Sequence, residues 1–230
     1  MNKLFYKIVL SIFFYTCAII PASAQVEIGF KGGYGYGQYF FQENLKKDFT
    51  IEFMPLYNGG LVFQYLNNQK AGVQASLLYM QKGWIEKTPE GGRAEFLMDF
   101  AEFELLSYLK FSKKKEHGLF IKFGPYIGYS FNNNYKRIGN IDSVLINYDS
   151  LQTAYKKFDY GISFGLSYTV KIAKSSMQIG ILFRQGFYNI LNQDPNGIFQ
   201  SISQGLFVNM AFTIPVFNNQ KQNKEAIKPD

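Results

Sequence analysis

Few residues of this 230-residue chain could do covalent chemistry. It has one histidine, His117, and one cysteine, Cys17. A histidine base needs a serine, a carboxylate or a water within hydrogen-bond reach. His117 instead follows Lys113, Lys114 and Lys115 in a short basic segment, with no serine or carboxylate in a plausible geometry to partner it, which reads as a solvated turn. Asp142, Asn147 and Asp149 could hold calcium loosely, but an ordinary polar loop explains them better. No histidine cluster offers a transition-metal site, and no cofactor is expected. The glycine-rich run at 32–37 fails as a dinucleotide fingerprint, because the third glycine would fall at Gln38 and no helical pattern follows. The more informative polar residues are Glu27, Lys31, Glu102, Glu104, Lys110, Lys122 and Arg184. Their meaning depends on the elements that carry them.

Those elements are strands. In the stretch 158–171, Tyr160, Ile162, Phe164, Leu166, Tyr168 and Val170 alternate with Gly161, Ser163, Gly165, Ser167, Thr169 and Lys171. This is period two, with one apolar and one small or polar face. The run is about twice an average strand. It fits the roughly nine to eleven tilted residues that cross a bilayer. The same alternation recurs at 26–39, 56–66, 71–85, 94–111, 118–131, 176–188 and 204–217. It breaks around 99–102, which predicts a bulge there. The connections alternate long and short, with long loops expected at 41–55 and 132–155. The predicted fold is all-β: an eight-stranded antiparallel up-and-down transmembrane barrel with lipid against the large residues. A soluble lipocalin-like barrel is the rival, with the faces reversed.

The composition agrees. Aromatics make up 18% of the chain, as interfacial girdles require. No later window supplies the ~18 uncharged apolar residues of a membrane helix. The net charge of +7 is spread along the chain, without the patch or motif of a nucleic-acid binder. Residues 1–24 read as a signal peptide. Lys3 and Lys7 precede an apolar run, and Ala22-Ser23-Ala24 is a small-residue site for cleavage before Gln25. The alternatives, a retained anchor or a lipidated Cys17, fit the short run and its flanks less well. The mature chain is then free of cysteine. Residues 25–217 form the barrel and 218–230 a polar periplasmic tail. The location expected is the outer membrane.

In that frame the seven charged residues point into the lumen. Buried singly, each would cost several kcal/mol, so they should pair. Counting from the turn at 112–117 sets Glu104 beside Tyr126 and diagonal to Lys122. Arg184 falls near Gly165, whose missing side chain leaves room. The expectation is a side-chain-filled plug. The alternative is a narrow charged pore. The turn at Lys113, Lys114 and Lys115 either docks an acidic periplasmic partner or serves only as a soluble turn.

Three stretches carry a family likeness: G-P-Y-I-G-Y at 124–129, F-D-Y-G-I-S-F-G-L-S-Y at 158–168 and F-R-Q-G-F-Y-N-I at 183–190. With the Ala24-Gln25 site, they resemble the PorT-like outer-membrane β-barrels of the Bacteroidota. The resemblance implies the fold and the outer membrane. It leaves the role open, because the family is broad and one branch is implicated in export by the type IX secretion system. Barrels of this kind commonly end on an aromatic residue; Phe217 would serve here, but thirteen residues follow it. The expected function is a non-enzymatic structural or interaction barrel, an accessory of protein export in the PorT manner, with a small channel as the alternative. A lipid-modifying enzyme would need a rim triad that the sequence lacks. Expected partners are outer-membrane lipid and lipopolysaccharide, and envelope or secretion-system proteins.

Overall fold

The computed structural model describes residues 24–41, 50–67, 71–88, 91–111, 117–138, 156–189 and 201–218. The segment expected as a signal peptide, up to residue 23, lies outside these residues, as do Lys113, Lys114 and Lys115, the Asp142, Asn147 and Asp149 set, the residues beyond 218 expected as a tail, and the side chain of His117. Nine strands occur among the described residues: β1 (Ala24–Phe41), β2 (Thr50–Glu52), β3 (Met54–Asn67), β4 (Ala71–Lys87), β5 (Arg93–Lys110), β6 (His117–Ile138), β7 (Phe158–Ile172), β8 (Ser175–Gly186) and β9 (Ser201–Asn218). Every pairing is antiparallel. The hydrogen-bonded order runs β4-β3-β1-β9-β8-β7-β6-β5, and β5 closes on β4, so eight strands form a ring. Strand β2 adds only a short extension that pairs with the outer end of β4.

The alternation decides which way the sheet closes. Tyr160, Phe164, Leu166 and Tyr168 stay 42–49% exposed, whereas Gly161, Ser163, Gly165 and Ser167 between them are buried. A soluble lipocalin-like barrel would bury the first set. The exposed belt continues around the ring through Phe30, Leu77, Phe123, Ile181 and Phe212. An apolar surface of that extent belongs in a membrane. Arginine in place of Phe164, near the middle of β7, should cost about 2–4 kcal/mol of folding free energy in bilayers. The same change at Phe187, beyond the end of β8, should cost about 1 kcal/mol or less. Equal losses at the two sites, measured by urea titration of vesicle-embedded protein, would contradict this placement of the belt.

Several boundaries differ from the expectation. The first long loop is shorter, because β1 runs to Phe41 and pairs through Ser201, and β3 begins at Met54. The segment expected as a loop from residue 132 is strand as far as Ile138. Its asparagines disguise an inward anchor: Tyr135 packs on Phe96 of β5 with ring centroids 4.8 Å apart, so β5 and β6 stay paired as a ribbon. The break near Asp99 is not a bulge in β5, whose inward positions Phe96, Met98, Phe100, Glu102 and Glu104 keep period two without a slip. The register does shift between Asp99 and Phe100, but the extra residue is on β6, where Phe131 falls between the partners Ser130 and Asn132. The alternation also reverses polarity, because the lumen at this level is apolar and takes Met98 and Phe100, each at most 3% exposed.

Candidate functional site

The lumen is filled in three layers. At the end nearest the short turns, Tyr108 and Phe120 meet edge to face with centroids 5.3 Å apart. Just above them, Glu27 accepts hydrogen bonds from Ser176 and Thr213. Lys122 donates to the side-chain carbonyls of Gln74, at 2.8 Å, and Gln178. Gln74 is further fixed by Gln64 and Ser76.

The middle layer is an ion-pair lattice. Glu104 Oε1 lies 2.5 Å from Lys31 Nζ. Its Oε2 lies 3.5 Å from Arg184 Nη1 and accepts from Ser163 Oγ at 3.3 Å. Arg184 Nη2 binds Glu102 Oε1, and the other Glu102 oxygen is 3.1 Å from Lys82 Nζ. Lys82 also holds Asp159 Oδ2 at 2.6 Å, which Ser203 Oγ reaches at 3.1 Å. Three carboxylates thus meet three cations, with none of the six residues more than 6% exposed. The acids come from β5 and β7 and the cations from β1, β4 and β8, so every bridge links non-adjacent strands or crosses the lumen, β4–β5 excepted. Pairing of this kind is what allows charges to be buried at all.

Tyr126 is the hub. Lys82 Nζ lies 4.3 Å from the centre of its ring and the Arg184 guanidinium carbon 4.2 Å. Two cations on one ring gain from its quadrupole. The ring fits because Gly161 and Gly186 face each other across β7 and β8. A Cβ on Gly161 would sit 2.7 Å from the Tyr126 hydroxyl and 2.1 Å from the Gln185 carbonyl oxygen.

The outermost layer is an apolar cap inside the barrel: Tyr39, Leu56, Met80, Trp84, Phe96, Phe100 and Phe207 are among its members. Trp84 stacks on Phe96, with centroids 4.6 Å apart and planes at 8°. Tyr39 and Phe41 each meet it edge-on at 5.2 Å. Its indole N–H donates to Glu86 Oε1 at 2.8 Å. Little space is left between the layers. One cavity of about 20 Å³ lies beside Lys31, Lys122 and Gln178, and another of about 20 Å³ beside Lys82, Tyr126 and Arg184. A water needs roughly 10–15 Å³, so each has room for one or two.

Of the seven sequence candidates, Lys31, Glu102, Glu104 and Arg184 stand in the lattice. Glu27 and Lys122 lie one layer below. Glu104 is directly across from Tyr126, but Lys122 is bonded to glutamines, because Lys31 and Arg184 already occupy Glu104 from other strands. Arg184 faces Ser163, with Leu182 rather than Arg184 opposite Gly165. Lys110 shares the inward face of β5 but sits at the mouth, half-buried, with its ammonium 5.8 Å from the Phe120 ring centre. The sequence reading missed Lys82 and Asp159 as lattice members. Both could have been found: Lys82 continues the Gln74, Ser76 face, and Asp159 precedes Gly161 and Ser163 on theirs.

A closed antiparallel ring with an apolar belt outside and paired charges inside defines a transmembrane β-barrel. The family comparison agrees, with a match over residues 21–192, and the chain belongs to the family described as outer membrane protein beta-barrel domain. The protein is therefore an outer-membrane β-barrel. No curated protein matches the chain. Among solved structures, OprG of Pseudomonas aeruginosa is similar at 9% identity over 83% of this chain and 95% of its own, with a TM-score of 0.44. Neisserial surface protein A is similar at 10% identity over 80% and 95%, with a TM-score of 0.40. Ail, the attachment invasion locus protein of Yersinia pestis, solved with the heparin analogue sucrose octasulfate, is similar at 10% identity over 83% and 99%, with a TM-score of 0.39.

Proposed function

We propose that this barrel is a closed, non-enzymatic surface protein that acts by interaction rather than by conduction or catalysis. The observation that carries this reading is the double closure of the lumen: a charge-balanced lattice of Lys31, Lys82, Arg184, Glu102, Glu104 and Asp159 lies directly beneath the cap built on Trp84. An eight-stranded barrel is only wide enough for its side chains to fill it. With the lumen occupied, recognition falls to the long connections around 42–49 and 139–155, toward envelope or secretion-system proteins. The stretches at 124–129, 158–168 and 183–190 support placement near the PorT-like barrels, and with it an accessory role in protein export.

Two measurements test this. In planar bilayers the purified protein should show no single-channel steps above background; steady ohmic steps would favour the alternative, a small channel for ions or solutes. Deleting the gene should remove or stall a class of surface and secreted proteins. An unchanged exported proteome would reduce the PorT likeness to one of fold. An altered lipid A acyl pattern on expression would contradict the non-enzymatic reading.

A further inference from the structure

The membrane-facing surface dips at β5. On β5 the outward series Phe103, Ala101, Asp99 places a single methyl group where neighbouring strands carry rings. Ala101 is directly across from Tyr79 on β4 and Tyr129 on β6. The bulge residue Phe131 leans in, with its ring 6.2 Å from that of Tyr79, and Phe158 meets Tyr129 at 5.2 Å. These residues, with Leu77 and Ile127, enclose an open apolar groove of about 550 Å³.

The end of the groove toward the long connections is polar. Asp99 faces outward, yet it is covered: its carboxylate accepts from the Tyr79 hydroxyl at 2.6 Å and from Asn132 Nδ2 at 2.8 Å, with Gln81 Nε2 at 3.4 Å. These bonds engage the carboxylate in holding the groove wall. Beside it, the Lys157 ammonium lies 5.9 Å from the Tyr129 ring centre, and Lys156 stands 4.9 Å from the ring centre of Tyr188. Ser130 N–H donates to the Lys157 carbonyl at 2.7 Å, which ties Lys157 to β6 next to Tyr129, whereas Lys156 is turned toward Tyr188 and away from the groove.

We propose that the groove is a fixed site for one acyl chain of lipid A, the phosphorylated anchor of lipopolysaccharide, with a lipid phosphate at Lys157. Its occupant comes from the membrane, because the walls belong to the lipid-facing girdle. It comes from the outer leaflet, because the groove opens beneath the long connections, the extracellular side of such barrels. An ammonium next to an apolar slot complements a phosphate next to a hydrocarbon chain, and Lys157 supplies that ammonium at the Tyr129 wall. This site is independent of whether the lumen is closed.

The test uses the full-length barrel folded in nanodiscs, with lipid retention counted by native mass spectrometry. The probes are bisphosphorylated lipid A, dephosphorylated lipid A and phosphatidylethanolamine. Folding is checked by heat-modifiable electrophoretic mobility. Ala101→Trp fills the groove at a position where a tryptophan suits the girdle, and should lower lipid A retention by about tenfold or more. Lys157→Glu should lower retention of the bisphosphorylated form by about fivefold and leave the dephosphorylated form unchanged. Undiminished retention by folded Ala101→Trp would overturn the proposal, as would equal retention of phosphatidylethanolamine and lipid A by the wild type.

Discussion

Replacing Glu102 with glutamine is expected to cost the barrel about 3–5 kcal/mol, the usual consequence of removing one partner from a buried ion pair. Glu102 joins Arg184 to Lys82, and no atom of its side chain is exposed. The substitution leaves three cations facing two carboxylates, with room beside them for no more than a water or two. Unfolding in urea, followed through the fluorescence of Trp84, the only tryptophan, measures the loss. The double variant Glu102→Gln, Arg184→Gln restores charge balance and should recover most of the stability, since removing both members of a buried pair is often close to neutral. A loss below about 1 kcal/mol for the single variant is what solvated charges would give, and it would turn the closed lumen into a wet one. The measurement therefore bears on the function proposed as much as on the fold.

The second large effect is expected at the cap. Trp84→Ala should cost about 3–5 kcal/mol, the sum of lost transfer energy and the cavity left behind. The indole is fully buried and touches three other rings, those of Tyr39, Phe41 and Phe96. Its neighbours come from β1 and β5, held by the ladder, so the hole cannot easily collapse. Trp84→Phe keeps much of the ring contact and removes the donor to Glu86, for which about 1–3 kcal/mol is expected. Because the fluorophore is lost, circular dichroism at 218 nm or so follows these variants through the β-sheet signal, alongside mobility on unheated gels. If both substitutions cost the same, the hydrogen bond and not the packing would carry the cap. If neither costs anything, the cap contributes nothing to closure.

Both experiments probe interior features, and these differ in how far they can be read from the chain. Period-two alternation along 158–171 sets the two faces of β7 without any other strand, because successive side chains on a strand must point opposite ways. The same rule puts Lys31, Glu102, Glu104, Lys122 and Arg184 inside, and extended by one step it would have included Lys82 and Asp159. The strand count, the antiparallel order and the membrane-facing belt follow from local pattern and from the lengths of the connections. Boundaries were less legible where strands rise above the bilayer. There the asparagines at 132–134 look like loop, and only the contact of Tyr135 with Phe96 shows why the ribbon persists.

Partner choice inside the lumen could not be read locally. Lys31 meets Glu104 across 73 positions, Lys82 meets Asp159 across 77 and Arg184 meets Glu102 across 82. Such pairings depend on ring closure and on the stagger of eight strands, which bring together residues that share no ladder rung. Adjacent-strand counting correctly set Glu104 opposite Tyr126, yet it suggested Lys122 as the neighbouring charge, because it could not see Lys31 and Arg184 arriving from the far wall. The apolar cap was hidden for a related reason. Around Met98 and Phe100 the inward face turns from charged to apolar, so the alternation contrast vanishes and reads as irregularity. Faces are a property of each strand's own sequence; which charge neutralises which, and where polar filling gives way to apolar, is set by closure of the sheet on itself.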